Sequence, residues 1–165
     1  MNGLAAGGLY LLWLGAGALD FHFHRRSDLA HSSGLRESTL HGVQLLLIGA
    51  GALAWLALEA NYGRVALLAV LVSVHAVAGY LDTAAAEGRR RISPAEQHVH
   101  SVLDVVPWLF LLWIGREAEP GWTLGWQPAD WPAWVFILAP AGLLTVLPWL
   151  RELRRCLAAR RPAAE

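Results

Sequence analysis

The chain has 165 residues, 56% of them hydrophobic, a positive mean hydropathy of +0.41, and 13 acidic residues against 13 basic ones. That neutrality gives no footing for nucleic-acid binding, which rests on a basic excess. The lone Cys156 excludes a disulfide framework and a cysteine-based metal motif. Every basic residue is arginine, and the arginines fall in clusters.

A bilayer core takes roughly 20 apolar residues of helix. Five runs meet that need, at about 3–23, 40–59, 64–82, 98–115 and 131–150. The expected fold is therefore all-α and integral to the membrane, a single transmembrane domain over 1–150 followed by an Arg-rich cytoplasmic tail over 151–165. The first run is rich in glycine (Gly3, Gly7, Gly8, Gly15, Gly17) and ends at Asp20 without a cleavage site, so it reads as a retained helix rather than a signal peptide. The second carries Gly49 and Gly51, and small residues let helices approach where lipid supplies no hydrophobic drive. Ionisable groups interrupt the third and fourth runs, which in a membrane flags function. Ser93-Pro94 marks the fourth start, with Ser93 as cap and Glu96 at the third helical position, as in a capping box. The fifth holds Pro140 and Pro148 but no ionisable group, and reads as scaffolding.

The connections orient the helices. Arg25, Arg26 and Arg36 lie between the first and second runs, Arg89, Arg90 and Arg91 between the third and fourth, and Arg151, Arg154, Arg155, Arg160 and Arg161 after the fifth. The alternate connections hold only Arg64 and Arg116. The positive-inside rule then places the N-terminus outside and the C-terminus in the cytoplasm. The corresponding location is the bacterial inner membrane, crossed several times. Trp122, Trp126, Trp131 and Trp134 surround the outer connection as an interfacial belt, and that loop is expected to lie along the membrane.

Each of the first four helices pairs histidine with a carboxylate: Asp20 and His24, Glu37 and His41, His75 and Asp82, and Glu96 and His100 with Asp104 beyond. Spacings of four and seven put both groups on one face. Helices 1 and 3 carry these groups late and helices 2 and 4 carry them early, so antiparallel packing brings all four sets to the cytoplasmic side. A bundle of helices 1–4 would gather nine candidate metal ligands: Asp20, His24, Glu37, His41, His75, Asp82, Glu96, His100 and Asp104. Carboxylate bundles that hold two metals use the same principle. Five carboxylates in one buried layer call for cations, either bound metal or arginine such as Arg36 or Arg91. His31 reads as a loop residue, and His22 and His98, two positions from His24 and His100, face the other way. An irregular helix start would let His98 stand in for His100.

The stretches GLRESTLHGVQ (34–44) and SPAEQHVHSVLDVVPW (93–108) resemble small bacterial integral membrane proteins with short, helix-only chains. The resemblance covers helices 1–4 and implies a functional layer of Glu37, His41, Glu96, His100 and Asp104, without naming a reaction. More loosely, the site is similar to membrane di-iron hydroxylases and desaturases, although this chain lacks HxxHH and half its candidate ligands are carboxylates. The expected function is a metal-dependent membrane oxidoreductase with two transition-metal ions, iron first, acting on a lipid-soluble substrate and drawing electrons from a cytoplasmic donor. The alternatives are a zinc-dependent membrane hydrolase, a non-catalytic metal carrier or transporter, and electron transfer through b-type haem. Haem would use the histidines but leave the carboxylate beside each without a role.

Overall fold

The computed structural model describes residues 3–160, so Arg161 and the rest of the expected tail lie outside the described residues. The described chain is helical, with two isolated bridges as its only β-pairing. Five helices are long and apolar enough to cross a membrane: α1 (Gly3–Arg26), α2 (Gly34–Ala57), α3 (Tyr62–Ala86), α4 (Pro94–Arg116) and α5 (Trp131–Ala159). Large side chains such as Leu4, Leu46, Val70, Tyr80 and Leu112 stand exposed on the exterior, where lipid would solvate them.

The helices outrun the apolar runs because their polar ends are also helical. Polar residues from 34 to 39 open α2, with Glu37 in its first turn, where the helix dipole favours an acid. At α4, Ser93 accepts from the Glu96 backbone and Glu96 reaches back to the Ser93 backbone. That capping box, with Pro94 in the first turn, moves the start to residue 94 from the expected 98.

The largest departure is α5. Pro140 and Pro148 each remove a backbone donor, and between them Gly142–Val146 forms a π-helical turn. The helix continues through the turn to Ala159, so the start of the expected tail is part of the bundle. An inserted residue rotates the next stretch of helix by roughly 100°, and Glu152 and Cys156 are the buried residues of that final segment. The Trp149 indole holds it to α2 by donating to the Ser38 carbonyl at 2.9 Å. The ring lies where Gly42 has no side chain, and a Cβ there would come within 2.5 Å of it.

In packing, α2 pairs chiefly with α3 and α1 with α4, α3 also meets α4, and the end of α5 rests on α2 and α1. The opposite end is closed by the 117–130 connection. It folds across the α2–α3 turn through the bridges Leu58–Trp126 and Asn61–Glu119 and through Gly63, which donates to the Gly121 carbonyl. The expected interfacial tryptophans Trp122, Trp126 and Trp131 are exposed there.

Candidate metal centre

Successive helical turns set the site. Asp20 and His24 leave α1 on one face, Glu37 and His41 leave the first turns of α2, Asp82 leaves the last turns of α3, and Glu96 and His100 leave the first turns of α4. All are buried except His100, which is half-buried. The i,i+4 spacing aligns these groups on a face, yet most of their partners lie on other helices. His100 Nε2 meets Asp20 Oδ1 at 2.8 Å, and His41 Nε2 meets Asp82 Oδ2 at 3.1 Å.

Two further side chains complete the layer. Glu152 of α5 accepts from His24 Nδ1 at 2.9 Å with one oxygen and from His41 Nδ1 at 2.7 Å with the other. Arg90, from the connection between α3 and α4, buries its guanidinium between Glu37 and Glu96 and donates to both. Burial opposes the charge on Arg90, but hydrogen bonds and attraction from Glu37 and Glu96 outweigh it, and its pKa rises above the ordinary value. Arg90 is thus the internal cation of the layer, whereas Arg36 and Arg91, the expected candidates, are exposed.

The protonation pattern follows from geometry. His41 has a carboxylate oxygen at each ring nitrogen, the arrangement of a doubly protonated ring. The His24 ring stacks on it, with centroids 4.5 Å apart and planes 6° from parallel. A ring proton on His24 Nδ1 faces Glu152. The ring's Nε2 is directed toward three carboxylate oxygens: Asp20 at 3.4 Å, and Glu37 and Glu96 at 3.8 Å each. That nitrogen is buried and has no hydrogen-bond partner. Three anions around one buried ring nitrogen call for positive charge there, supplied by a second ring proton or by a bound cation.

The charge balance points the same way. Five carboxylates (Asp20, Glu37, Asp82, Glu96 and Glu152) face one guanidinium, and protonating all three histidines would still leave four positive charges against five negative ones. Two groups have donor atoms within 4.8 Å of one another: Asp20, His24, Glu96 and His100, and separately His24, Glu37 and His41. Nitrogen and oxygen ligands sit about 2.0–2.2 Å from a zinc-sized ion, so ligands across it lie about 4 Å apart. The first group offers two imidazoles and two carboxylates whose donor atoms lie within 4.8 Å of one another, a set that would have to close in around an ion. Glu152 on the far nitrogen of His24 is placed where an outer carboxylate would fix a metal-bound imidazole.

The remaining expected ligands lie apart. His75 is buried on α3 but belongs to neither group. Asp104 is exposed and lies one helical turn beyond His100, where it lines a cavity above the layer. His22 and His98 are exposed, and exposed His31 pairs with Asp28 in the loop. The stacked His24 and His41 rings leave no space for a porphyrin between them.

The cavity above the layer has a volume of about 180 Å³. Asp20, His41, Asp82 and His100 form its floor, Gln44 and Asp104 flank it, and its walls are apolar side chains drawn from α1, α2, α4 and α5. These features define a multi-pass membrane protein with a buried His/carboxylate layer beneath an apolar chamber. No protein-family model, curated protein or solved structure is detectably similar to the chain.

Proposed function

We propose that this chain is a membrane metalloprotein, an oxidoreductase that acts on a lipid-soluble substrate at a transition-metal centre held by Asp20, His24, Glu96 and His100. One observation carries the reading: the unpartnered Nε2 of His24, fixed by Glu152 on its far side and directed at three carboxylate oxygens. Neutral imidazole with carboxylate suits iron, and such a centre when loaded supplies redox chemistry. A second ion would take Glu37 and His41, sharing the His24 corner; to admit it Arg90 would have to release Glu37, and His41 would have to give up a ring proton and one of its carboxylate partners. Iron is proposed at the first group, which offers two carboxylates, Asp20 and Glu96, the latter also to be released by Arg90; the dinuclear state is reached only after the exchange at Glu37 as well.

This chain's own residues have separate tasks. Glu152 orients His24 and His41 together, Asp20 and Asp82 orient His100 and His41, and the apolar walls exclude water from the layer. Arginine clusters at the same end of the helices support placing the layer toward the cytoplasm, N-terminus outside, in a bacterial inner membrane where a cytoplasmic donor could reach it.

The test is elemental analysis of the purified protein in detergent. One to two iron atoms per chain are expected, with loss in His24→Ala and Asp20→Asn and retention in His31→Ala. Wild-type protein free of transition metal after growth with ample iron, zinc and manganese would overturn the reading. Zinc in place of iron would move the reaction to hydrolysis, in which a metal-bound water attacks an ester or amide.

A further inference from the structure

Glu37 and Glu96 each turn one oxygen, Oε1, toward His24 Nε2 at 3.8 Å. The same Oε1 atoms accept from the Arg90 guanidinium, Glu37 from Nη2 and Glu96 from Nη1. Arg90 Nε adds contacts of 3.1 and 3.2 Å to the two oxygens of Glu37. An ion seated beside His24 would draw on these carboxylates, because Glu96 belongs to one candidate group and Glu37 to the other. The guanidinium therefore already occupies acceptors that a metal needs. Glu96 can change partner without losing the start of α4: its Oε2 accepts from the Ser93 backbone at 3.3 Å, and Oε1 is the atom held by Arg90.

Arg90 is carried by a segment that can withdraw it. Residues 87–93 connect α3 to α4, and Glu87, Gly88, Arg89 and Arg91 are exposed. The backbone N–H groups of Glu87, Arg89 and Arg90 donate back to Thr83 and Ala86 of α3, so they hold the turn and not its place on another helix. Gly88 makes that turn at a φ of 69°, in the left-handed region. The Arg90 side chain, 2% exposed, is the polar tie between this segment and the layer. Two cations on one pair of oxygens repel each other, so ion and guanidinium compete for them. A divalent ion brings two positive charges where the guanidinium brings one, into a layer of five carboxylates and one arginine.

We propose that Arg90 is an internal occupant of the metal site, an autoinhibitory contact that a divalent ion displaces, so that loading the layer releases the α3–α4 connection. This deepens the proposed function and rests on its assignment of a metal to His24 and Glu96. In the metal-free chain the guanidinium holds Glu37 and Glu96 together and shuts the segment onto the layer. In the loaded chain Arg90 joins Arg89 and Arg91 in solvent, and three consecutive accessible arginines mark the metal-bound state.

Phenylglyoxal modifies accessible guanidinium groups, and fragmentation mass spectrometry reads Arg89, Arg90 and Arg91 separately. The purified full chain, stripped by a chelator, is treated before and after addition of zinc, a redox-inert ion that takes the same nitrogen and oxygen ligands. Zinc content is measured on the same samples. Without zinc, Arg90 should react at least about tenfold more slowly than Arg91, because its modification waits on local opening. With zinc bound, its rate should come within about twofold of Arg91. In a chelator competition, Arg90→Met should bind zinc at least about tenfold more tightly than wild type, whereas Arg91→Met should not differ. Should Arg90→Met fail to fold, the modification rates of the unaltered chain still decide. Zinc bound with Arg90 still protected defeats this inference and leaves the metal reading intact, and so does an Arg90 that is reactive before zinc is added. Absence of zinc from both the unaltered chain and Arg90→Met defeats the metal reading, and the exchange falls with it.

Discussion

The two ends of the bundle bury polar groups in opposite ways. At the Trp-rich end, the 117–130 connection is tied down mainly by backbone hydrogen bonds such as Glu119 N to Ala60 O at 2.8 Å and Ala129 N to Leu56 O at 2.7 Å. Those backbone donors have neutral acceptors of fixed geometry, although Asn61 and Thr123 also donate to the Glu59 carboxylate and Arg64 Nε has no partner. At the other end, charged side chains from every helix converge, and His24 Nε2, Asp82 Oδ1 and the Ser33 and Ser38 hydroxyls have no partner. A membrane bundle needs its backbone groups paired but has no need of buried ions, whose desolvation costs several kcal/mol each. The Trp-rich end does what folding requires, and the charged end carries groups that folding alone does not explain.

Breaking the charge balance should separate the ends most widely. Arg90→Met leaves Glu37 and Glu96 facing each other without their cation, and removal of one partner from a buried pair costs about 3–5 kcal/mol. Metal-free protein should lose roughly that stability in thermal or denaturant unfolding. Added divalent metal should restore part of it, because the freed carboxylates are then available as ligands. A loss that metal does not touch would make Arg90 a structural cation only. At the other end, Gly63→Ala places a Cβ 2.6 Å from the Thr123 carbonyl oxygen. Backbone must shift to admit it, at a cost of about 1–3 kcal/mol. Unfolding should register that loss while metal content stays unchanged. If Gly63→Ala also empties the site, the ends are not energetically separate.

Glu152 sharpens the comparison within the charged end. Glu152→Gln keeps the shape but replaces the carboxylate that orients His24 and His41. Outer-sphere partners of this kind are worth about 10–100-fold in metal affinity. A competition titration with a chelator should show that weakening. A change below about twofold would mean that neither ring binds metal through its other nitrogen.

The sequence made the depth of the layer legible, because arginine clusters and late-then-early placement of His/carboxylate pairs are statements about direction along each helix. Asp20, His24, Glu37, His41, Asp82, Glu96 and His100 meet as that reasoning expects. Partner identity was not legible: spacing within a helix fixes a face, and which helix lies opposite depends on packing. Glu152 was hidden for a related reason. It lies among arginines in the expected tail, just past the end of the fifth run at 150, and a π-turn precedes the segment in which the helix carries on and buries it. Its four-residue spacing from Cys156 was the one signal. Arg90 was one of three consecutive arginines, and nothing in composition separates it from Arg89 or Arg91. His75 and Asp104 have the right periodicity, but each lies a turn or more from the layer.

The smallest expected effect compares like with like. His31 Nδ1 meets Asp28 at 2.8 Å, the same separation as His100 and Asp20. The loop pair has side chains 68% and 72% exposed, whereas the layer pair is 13% and 9% exposed. An exposed pair is worth about 0–1 kcal/mol and is screened by salt. Asp28→Asn should therefore change unfolding free energy by less than about 1 kcal/mol, and raised salt should erase the difference. Asp20→Asn, at the same distance, should change metal content and be nearly indifferent to salt, because the layer excludes water and ions alike. A salt-sensitive response at Asp20 would mean that the layer is wet, and the case for a cation there, which depends on burial, would fall with it.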